Sequence, residues 1–191
     1  MLIGFIGAPA SGKTTVAAML FGRIKSKDRV AELITETARR YIIEKRWRGE
    51  FGSKLTDADQ DEIFSRQAEA EALYTHVLPK SDIIITDGCI LNNYLCRDQP
   101  PDHREDDFRA VLSQYDLIFY CPRSPSQYVE SDMGRIHDRH EADAIDHRIP
   151  DIMARFGVKY TELTGTPEVR LNTAWNTVMS FLMYYFPEAD F

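Results

Sequence analysis

Residues 7–15 carry the residue types that could do chemistry most directly in this chain. They read GAPASGKTT and follow the apolar run LIGFI. Their spacing matches G-x-x-x-x-G-K-[ST], the pattern of a phosphate-binding loop. Glycines let backbone N–H groups turn inward around phosphate oxygens, where a side chain would block the approach. The pattern therefore predicts a nucleoside triphosphate site formed by Gly7, Ala8, Pro9, Ala10, Ser11, Gly12, Lys13, Thr14 and Thr15.

Two side chains of this loop have specific tasks in such a site. Lys13 would reach the β- and γ-phosphates of ATP, and the Thr14 hydroxyl would coordinate Mg²⁺. The alternative is a chance glycine-rich turn before an ordinary helix. The context favours the site, because a hydrophobic strand precedes the loop and Val16, Leu20 and Ile24 recur on one face of the following helix.

Two carboxylates follow predicted strands and complete the chemistry of phosphoryl transfer. Asp87 ends the run IIITD, the position of a Walker B acidic residue, where it would hold Mg²⁺ beside Thr14. The alternative is a helix N-cap or a turn before Gly88. Glu36 would orient an acceptor hydroxyl and take its proton, as a catalytic and substrate-binding residue. It is equally consistent with a first-turn glutamate that favours the helix dipole.

Three further aspartates lie in the segment TDADQDE. Asp57, Asp59 and Asp61 are typical first-turn charges of a long helix that begins near Thr56. Asp59 is the best candidate among them for a substrate contact.

Residues 123–147 form a polar, charged segment after a predicted strand, and we expect it to act as a lid. Arginines delivered by a lid neutralise charge on the transferring group and exclude water. Arg135 and Arg139 are the catalytic candidates in this segment. Its histidines match no zinc-site spacing, so a solvated lid face is favoured over a metal site.

Residues 37–54 hold six basic residues and only two acidic ones, with three aromatic residues interleaved. The basic cluster comprises Arg39, Arg40, Lys45, Arg46, Arg48 and Lys54. A solvated helix face with a few core aromatics explains this composition best. The alternative is a groove in which cations track a nucleic acid backbone and aromatics stack on its bases.

Strands alternate with helices along the whole chain, which predicts a parallel sheet covered on both faces. The expected strands are residues 2–7, 29–34, 82–87, 116–121 and 158–163. The expected fold is an α/β P-loop NTPase sandwich of three layers, αβα, with about five parallel strands and a helical lid. We expect residues 1–191 to form a single domain. Ligands bind at the carboxyl ends of parallel strands, where the loop, Glu36 and Asp87 converge.

Composition limits the class of protein. The chain has 191 residues and a formal net charge of −7, which argues against coating nucleic acid through bulk charge. No apolar run reaches the length of a membrane span. The cysteines are three in number and lack metal-type spacing, so reduced thiols in a cytoplasmic protein are expected.

Four short motifs occur together in a recognisable order: ETARRYI, DADQDEIFSRQ, IITD followed by NNY, and DMGRIHDR. Together with the phosphate loop they resemble the AAA-type ATPase/kinase family that includes the ribosylnicotinamide kinase domain. The resemblance implies a small-molecule kinase that uses ATP and Mg²⁺. The family lid often reads DG-x-R, whereas this chain has one more residue, so Arg139 is an alternative to Arg135. The acceptor-side, metal-side and lid positions implied are Glu36, Arg39, Asp87, Asp132 and Arg135.

Three functions remain open at this point. The first is a phosphotransferase acting on a hydroxyl of a nucleoside or nucleotide-like small molecule. The second keeps the same machinery but phosphorylates hydroxymethyluracil within DNA, held by the Arg39–Lys54 cluster. The third is a nucleotide-dependent regulatory ATPase or switch that binds a partner and transfers nothing. The lid arginines favour a kinase.

Overall fold

The computed structural model describes residues 1–80, 82–97, 104–124 and 136–187, and its strands form one parallel sheet. The strand order is β2-β3-β1-β4-β5. The strands in the described part of the chain are β1 Leu2–Ile6, β2 Ala31–Ile34, β3 Ile83–Thr86, β4 Leu117–Tyr120 and β5 Thr161–Glu162. All four strand pairings are parallel. The predicted parallel sheet of five strands is confirmed.

Seven helices connect and cover these strands in the described ranges. They are α1 Lys13–Lys25, α2 Thr37–Trp47, α3 Asp57–Val77, α4 Leu91–Leu95, α5 Glu105–Leu112, α6 Arg139–Arg155 and α7 Pro167–Tyr185. None of the helices in the described ranges is both long and apolar enough to cross a bilayer.

The alternation of side chains along β1 divides the core into two layers. Ile3 and Phe5 face the layer of α1 and α7, where they pack with Leu20 and Val178. Ile6 faces the opposite layer, which α3, α4, α5 and α6 build. Because successive side chains of a strand point to opposite faces, a fully apolar strand implies a layer on each side. The three-layer αβα arrangement is confirmed.

Local capping chemistry sets where two long helices begin. The Thr56 hydroxyl accepts from the Asp59 backbone N–H at 3.2 Å, and the Asp59 carboxylate accepts from the Thr56 N–H at 2.8 Å. Asp138 and Glu141 form the same reciprocal pair at the start of α6. Such capping boxes satisfy backbone donors that the first helical turn leaves free.

The beginning of α6 differs from the sequence prediction. Residues 123–147 were expected to form the lid, but α6 already starts at Arg139 because of the Asp138–Glu141 capping box. The last part of the predicted lid, residues 139–147, is therefore helical. Pro150 lies inside α6, where proline has no backbone N–H to donate to the helical hydrogen-bond pattern. Residues 125–135 of the predicted lid lie outside the described residues.

A buried polar network ties α3 to the turn that follows β3. The fully buried Glu71 carboxylate accepts from the Tyr115 hydroxyl at 2.6 Å and from the Gln67 amide at 2.9 Å. The Gln67 amide also donates to the carbonyl of Gly88. Burial raises the pKa of Glu71, and the hydrogen bonds from Tyr115 and Gln67 offset part of that rise. The network fixes the position of the residue next to Asp87.

We expect Glu71→Ala to destabilise the protein by about 2–4 kcal/mol, because it leaves the Tyr115 and Gln67 donors buried without an acceptor. Glu71→Gln keeps an acceptor oxygen and should retain the stability. A raised carboxyl pKa means that the wild type loses stability as pH rises through and above the ordinary glutamate range. The Tm of Glu71→Gln should therefore gain on the wild type between pH 4.5 and pH 8. Thermal denaturation at both pH values measures this. Equal losses for the two variants would show that the negative charge itself is required.

Candidate active site

The loop between β1 and α1 has the backbone geometry that its sequence pattern requires. Gly12 has φ +86°, and Ala10 also lies in the left-handed region with φ +63°. A Cβ on Gly7 would lie 2.5 Å from Ser11 Oγ and 2.6 Å from the carbonyl oxygen of Cys121. Gly7 therefore allows a close approach of the loop to the end of β4, and Gly12 allows the turn into α1. The loop forms one wall of a cavity of about 290 Å³.

Lys13 lies across this loop and is buried. Its ammonium donates to the carbonyl of Ala8 at 3.4 Å, and the Gly7 N–H donates to the side chain of Asn92 at the same distance. Asn92 belongs to α4, so the loop is held from the layer opposite α1. The ammonium lies at the cavity wall, where it would meet the phosphates of a bound nucleotide.

Arg170, in the first turn of α7, holds the same loop from the other side. Its buried guanidinium donates to three carbonyl oxygens: Ser11 at 2.7 Å, Gly165 at 3.1 Å and Pro122 at 3.2 Å. One planar fork thus joins the phosphate loop, the end of β4 and the entry to α7. Sequence reasoning missed this residue. The sequence does carry one signal for it: an arginine in the first turn of a helix is unfavourable, because its charge opposes the positive end of the helix dipole.

Asp87 follows β3 and lies beside the loop, as predicted. The pairing of Gly4 with Thr86 sets β3 against β1 and so fixes this neighbourhood. Burial raises the pKa of Asp87, while the charge of Lys13 and a hydrogen bond from Thr14 lower it. Its Oδ1 atom is buried and has no hydrogen-bond partner in the described structure. Ile90, not Asp87, is the N-cap of α4, so the alternative of a helix cap is wrong.

The residues around Asp87 fit a magnesium ion. Mg²⁺ prefers hard oxygen ligands, and the Thr14 hydroxyl and the Asp87 carboxylate are such groups in direct contact. The unpartnered Oδ1 leaves an acceptor atom available at a buried position. A buried carboxylate oxygen without a partner is energetically unfavourable, and a bound cation would remove that cost.

Glu36 and Arg39 lie on the wall of the same cavity, at the start of α2. Their side chains form an ion pair, with Arg39 Nε 3.5 Å from Glu36 Oε2. Glu36 occupies the N-cap position and its side chain accepts no capping hydrogen bond. It lies at the positive end of the α2 dipole, so the alternative of a glutamate that favours the dipole is not contradicted. Sequence reasoning did not find the residues that complete the described wall: Thr37, Ala38, Ile42, Leu55, Gln60, Ile63, Gln67, Gly88, Asn92, Asn93, Leu95, Cys96, Ile136, His137 and Ile145.

The structure gives Asp59 another role than the predicted substrate contact. Besides capping α3, its carboxylate accepts from Lys45 at 2.6 Å and from the Tyr41 hydroxyl at 2.8 Å. Burial alone would raise the pKa of Asp59, but the hydrogen bonds from Lys45, Thr56 and Tyr41 hold it below the usual range. Asp59 is not among the described residues that line the cavity. It joins α2 to α3 instead.

The structure describes only one of the two arginines predicted to act from the lid. Arg135 and Asp132 lie outside the described residues. Arg139 is the exposed first residue of α6 and is not among the lining residues identified in the described ranges. Arg123, at the end of β4, does reach the loop, since its Nη1 donates to the Pro9 carbonyl at 3.4 Å. It also pairs with Asp143 at 3.0 Å.

The basic cluster of residues 39–54 is largely compensated by carboxylates. Trp47 is 86% exposed, but Arg46 stacks over Phe51 with its guanidinium carbon 5.0 Å from the ring centre. The cluster therefore presents less positive surface than its composition suggests. Its ion pairs are Arg39–Glu36, Arg40–Glu44, Lys45–Asp59, Arg48–Glu50 and Lys54–Glu141.

We expect Arg170→Ala to destabilise the protein by about 2–4 kcal/mol, because three buried carbonyls lose a charged donor. Its affinity for an ATP analogue should fall about tenfold, since the loop is then less ordered before binding. Arg170→Lys should rescue little, because one ammonium does not reproduce a planar fork. Thermal denaturation and calorimetric titration measure both effects. Glu168→Gln, an exposed change in the same turn of α7, is the matched control, and an equal loss there would contradict the role of Arg170.

Comparison with known proteins gives a consistent result. The family model described as AAA domain matches residues 2–170. No curated protein sequence matches the chain. Among solved structures, NadR in complex with NAD and AMP-PNP has a TM-score of 0.67 at 19% identity, covering 94% of this chain and 49% of that one. NadR in complex with NR has a TM-score of 0.70 at 16% identity, covering 94% and 51%. The chain thus spans about half the length of the NadR chains it matches.

A smaller kinase matches over its whole length. Deoxyadenosine kinase from M. mycoides, with the products dCMP and a flexible dCDP bound, has a TM-score of 0.64 at 14% identity, covering 96% of this chain and 100% of that one. Thymidylate kinase from Candida albicans has a TM-score of 0.61 at 15% identity, covering 94% and 91%. At these identities the likeness shows the fold, which is that of P-loop kinases. The predicted resemblance is confirmed.

Proposed function

The chain belongs to the AAA domain family, and from this premise we propose that it is an ATP- and Mg²⁺-dependent phosphotransferase. It would move the γ-phosphoryl group to a hydroxyl of a nucleoside or nucleotide-like small molecule. One observation carries the proposal: the phosphate loop, Asp87 and the Glu36–Arg39 pair all line one cavity. A nucleotide and a second substrate would meet there. The solved structures with this fold support it, because they include a deoxyadenosine kinase and a thymidylate kinase.

The loop would bind the phosphates of ATP through its backbone N–H groups, and Lys13 would lie against the β- and γ-phosphates. Thr14 and Asp87 would hold Mg²⁺. When bound, that ion neutralises charge on the phosphate oxygens. Arg170 and Asn92 contribute by holding the loop in place before the nucleotide arrives.

Glu36 would act on the acceptor. Its carboxylate accepts the hydrogen of the acceptor hydroxyl and orients the oxygen toward the γ-phosphorus. The new P–O bond forms as the bond to the β,γ-bridging oxygen breaks, ADP leaves, and Glu36 takes the proton. Arg39 holds the carboxylate in place through the ion pair. The apolar residues Ile42, Ile63 and Ile145 line the cavity and restrict water, which would otherwise compete with the acceptor.

Two lid cations remain part of the proposal. Arg135 or Arg139 would contact the transferring phosphoryl group in the closed enzyme and stabilise its charge. Arg123, whose guanidinium donates to the Pro9 carbonyl of the loop, is a further arginine beside the phosphate loop. The three free cysteines fit a reducing cytoplasmic environment.

The proposal is tested by ADP release from ATP and Mg²⁺ against a panel of acceptors. The panel contains ribosylnicotinamide, common nucleosides, nucleoside monophosphates, and DNA with and without hydroxymethylated bases. We expect one soluble acceptor to stimulate turnover, and Lys13→Ala to lower kcat/KM by about 10²–10³-fold. Lys27→Ala, an exposed lysine beyond α1, should have no effect. Chelation of Mg²⁺ should abolish turnover, and Asp87→Asn should raise the Mg²⁺ concentration required.

If only DNA stimulates turnover, and the stimulation weakens as the salt concentration rises, the acceptor is a polymer. Slow hydrolysis that no acceptor stimulates would favour the regulatory switch.

Glu36→Gln should separate binding from chemistry. We expect kcat to fall by about 10²–10⁴-fold, because the amide does not accept the proton. The Kd of an ATP analogue should stay the same, since Glu36 lies outside the phosphate loop. Glu50→Gln, an exposed change just after α2, is the matched control. A normal kcat in Glu36→Gln, measured with the stimulating acceptor, would remove Glu36 from the mechanism.

A further inference from the structure

A second cavity, of about 190 Å³, adjoins the first on the side away from the phosphate loop. No phosphate-loop residue is among the described residues that line it. The two cavities share part of their walls and so form one continuous cleft, with the nucleotide end at the loop. The shared residues are Leu55, Gln60, Leu95, Cys96, Ile136, His137 and Ile145.

The charged residues of the two cavities differ in balance. In the first cavity two cations, Lys13 and Arg39, face two carboxylates, Glu36 and Asp87. In the described lining of the second cavity three cations face one carboxylate, Glu141. These cations are Lys54, Arg97 and Arg148. Positive charge is therefore in excess at the far end of the cleft, in a chain whose formal net charge is −7.

The contacts of these cations show where that excess is located. Arg148, on α6, donates to a neutral group, the carbonyl of Leu95, at 3.5 Å. Arg97 is buried and pairs with Asp61 at 2.8 Å, but the same carboxylate oxygen also accepts from Arg104 at 2.5 Å. One carboxylate thus serves two guanidinium groups, although Arg104 also meets the exposed Asp107.

The third cation, Lys54, is the least available for binding an anion. Lys54 pairs with Glu141 at 3.2 Å, so these two charges compensate each other at the mouth of the second cavity. His137 lies where the two cavities join, and burial lowers its pKa, which favours the neutral ring. The excess positive charge therefore lies mainly at Arg148, while Arg97 shares the carboxylate of Asp61 with Arg104.

We propose that the acceptor carries an anionic group, a carboxylate or a phosphate, at the end remote from its reacting hydroxyl, and that Arg148 and Arg97 bind this group. Guanidinium groups suit both anions, because their planar N–H donors match pairs of oxygens. The volume of the second cavity, about 190 Å³, is large enough for one such group on a small molecule. The proposal rests on the proposed function for the position of the hydroxyl.

The test compares acceptors that differ only in the remote charge. Nicotinate riboside and ribosylnicotinamide differ by a carboxylate against a carboxamide. Hydroxymethyldeoxyuridine and its 5′-monophosphate differ by a phosphate, and hydroxymethyluracil in single-stranded DNA is the polymer arm. The kcat and KM of each are measured by ADP release at saturating ATP and Mg²⁺. We expect the anionic member of one pair to have a kcat/KM about 10- to 100-fold higher. The pair that shows it identifies the anion.

Arg148→Gln is the informative variant, because this exposed side chain can be changed without disturbing the core. It should raise the KM of the anionic acceptor about tenfold or more, and affect the neutral one far less. Lys25→Gln, at the far end of α1, removes the same charge outside both cavities and should leave all values unchanged.

Three results would overturn the proposal: equal kcat/KM within both pairs, equal losses for neutral and anionic acceptors in Arg148→Gln, or activity on DNA alone. If no acceptor is turned over, the proposed function fails, but binding measurements still test whether the anion subsite exists. With a non-hydrolysable ATP analogue bound, an anionic compound should raise the Tm more than its neutral partner in the wild type but not in Arg148→Gln. Equal shifts would exclude the subsite.

Discussion

The rest of the site depends on a constraint in the backbone of the phosphate loop. A ring of N–H groups can converge on one point only where the chain turns through conformations that side chains resist. Gly12 takes such a conformation, with φ +86°, and Gly7 allows a close approach to the end of β4. A loop of this kind has few hydrogen bonds of its own. It must be held by its neighbours, and Arg170 and Asn92 hold it from opposite layers of the fold.

The parallel sheet brings the other groups to this loop. The loop follows β1, and the register of β1 with β3 sets Asp87 beside it. The turn after Asp87 is in turn held by Gln67 and Glu71 of α3. The site thus combines a strained loop, a buried carboxylate with an unpartnered oxygen, and two buried networks that fix both. These features cost stability locally, and the apolar core on both faces of the sheet supports them.

Charge is distributed unevenly along the cleft. Near the loop, cations and carboxylates are balanced, as phosphoryl transfer needs both a cation for phosphate and a base for the acceptor. Elsewhere in the basic cluster, Arg40 and Lys45 are paired with Glu44 and Asp59, which reduces the attraction of the cluster for a polymer. Basic side chains therefore face the cleft near the loop, whereas those of the basic cluster are largely neutralised by neighbouring carboxylates. Only the partners of each side chain distinguish them.

Much of the architecture followed from local chemistry in the sequence. The spacing of Gly7, Gly12 and Lys13 depends on backbone conformation within nine residues, and the apolar runs of β1 and β3 depend on burial on both faces. The sheet, the layers and the loop were predictable for that reason. Asp87 was predictable because the carboxyl ends of parallel strands share one edge.

The tertiary structure alone decided which polar side chains meet. Arg170 binds the carbonyl of Ser11 across 159 residues, and no local pattern encodes such a contact. Asp59 has the type and place of a substrate ligand, yet Lys45 and Tyr41 from α2 occupy its carboxylate. The polar composition of the segment around residue 140 does not by itself indicate a helix, but the capping box of Asp138 and Glu141 begins α6 there. Sequence patterns report the conformation of neighbouring residues, whereas hydrogen-bond partners are fixed by the packing of distant elements.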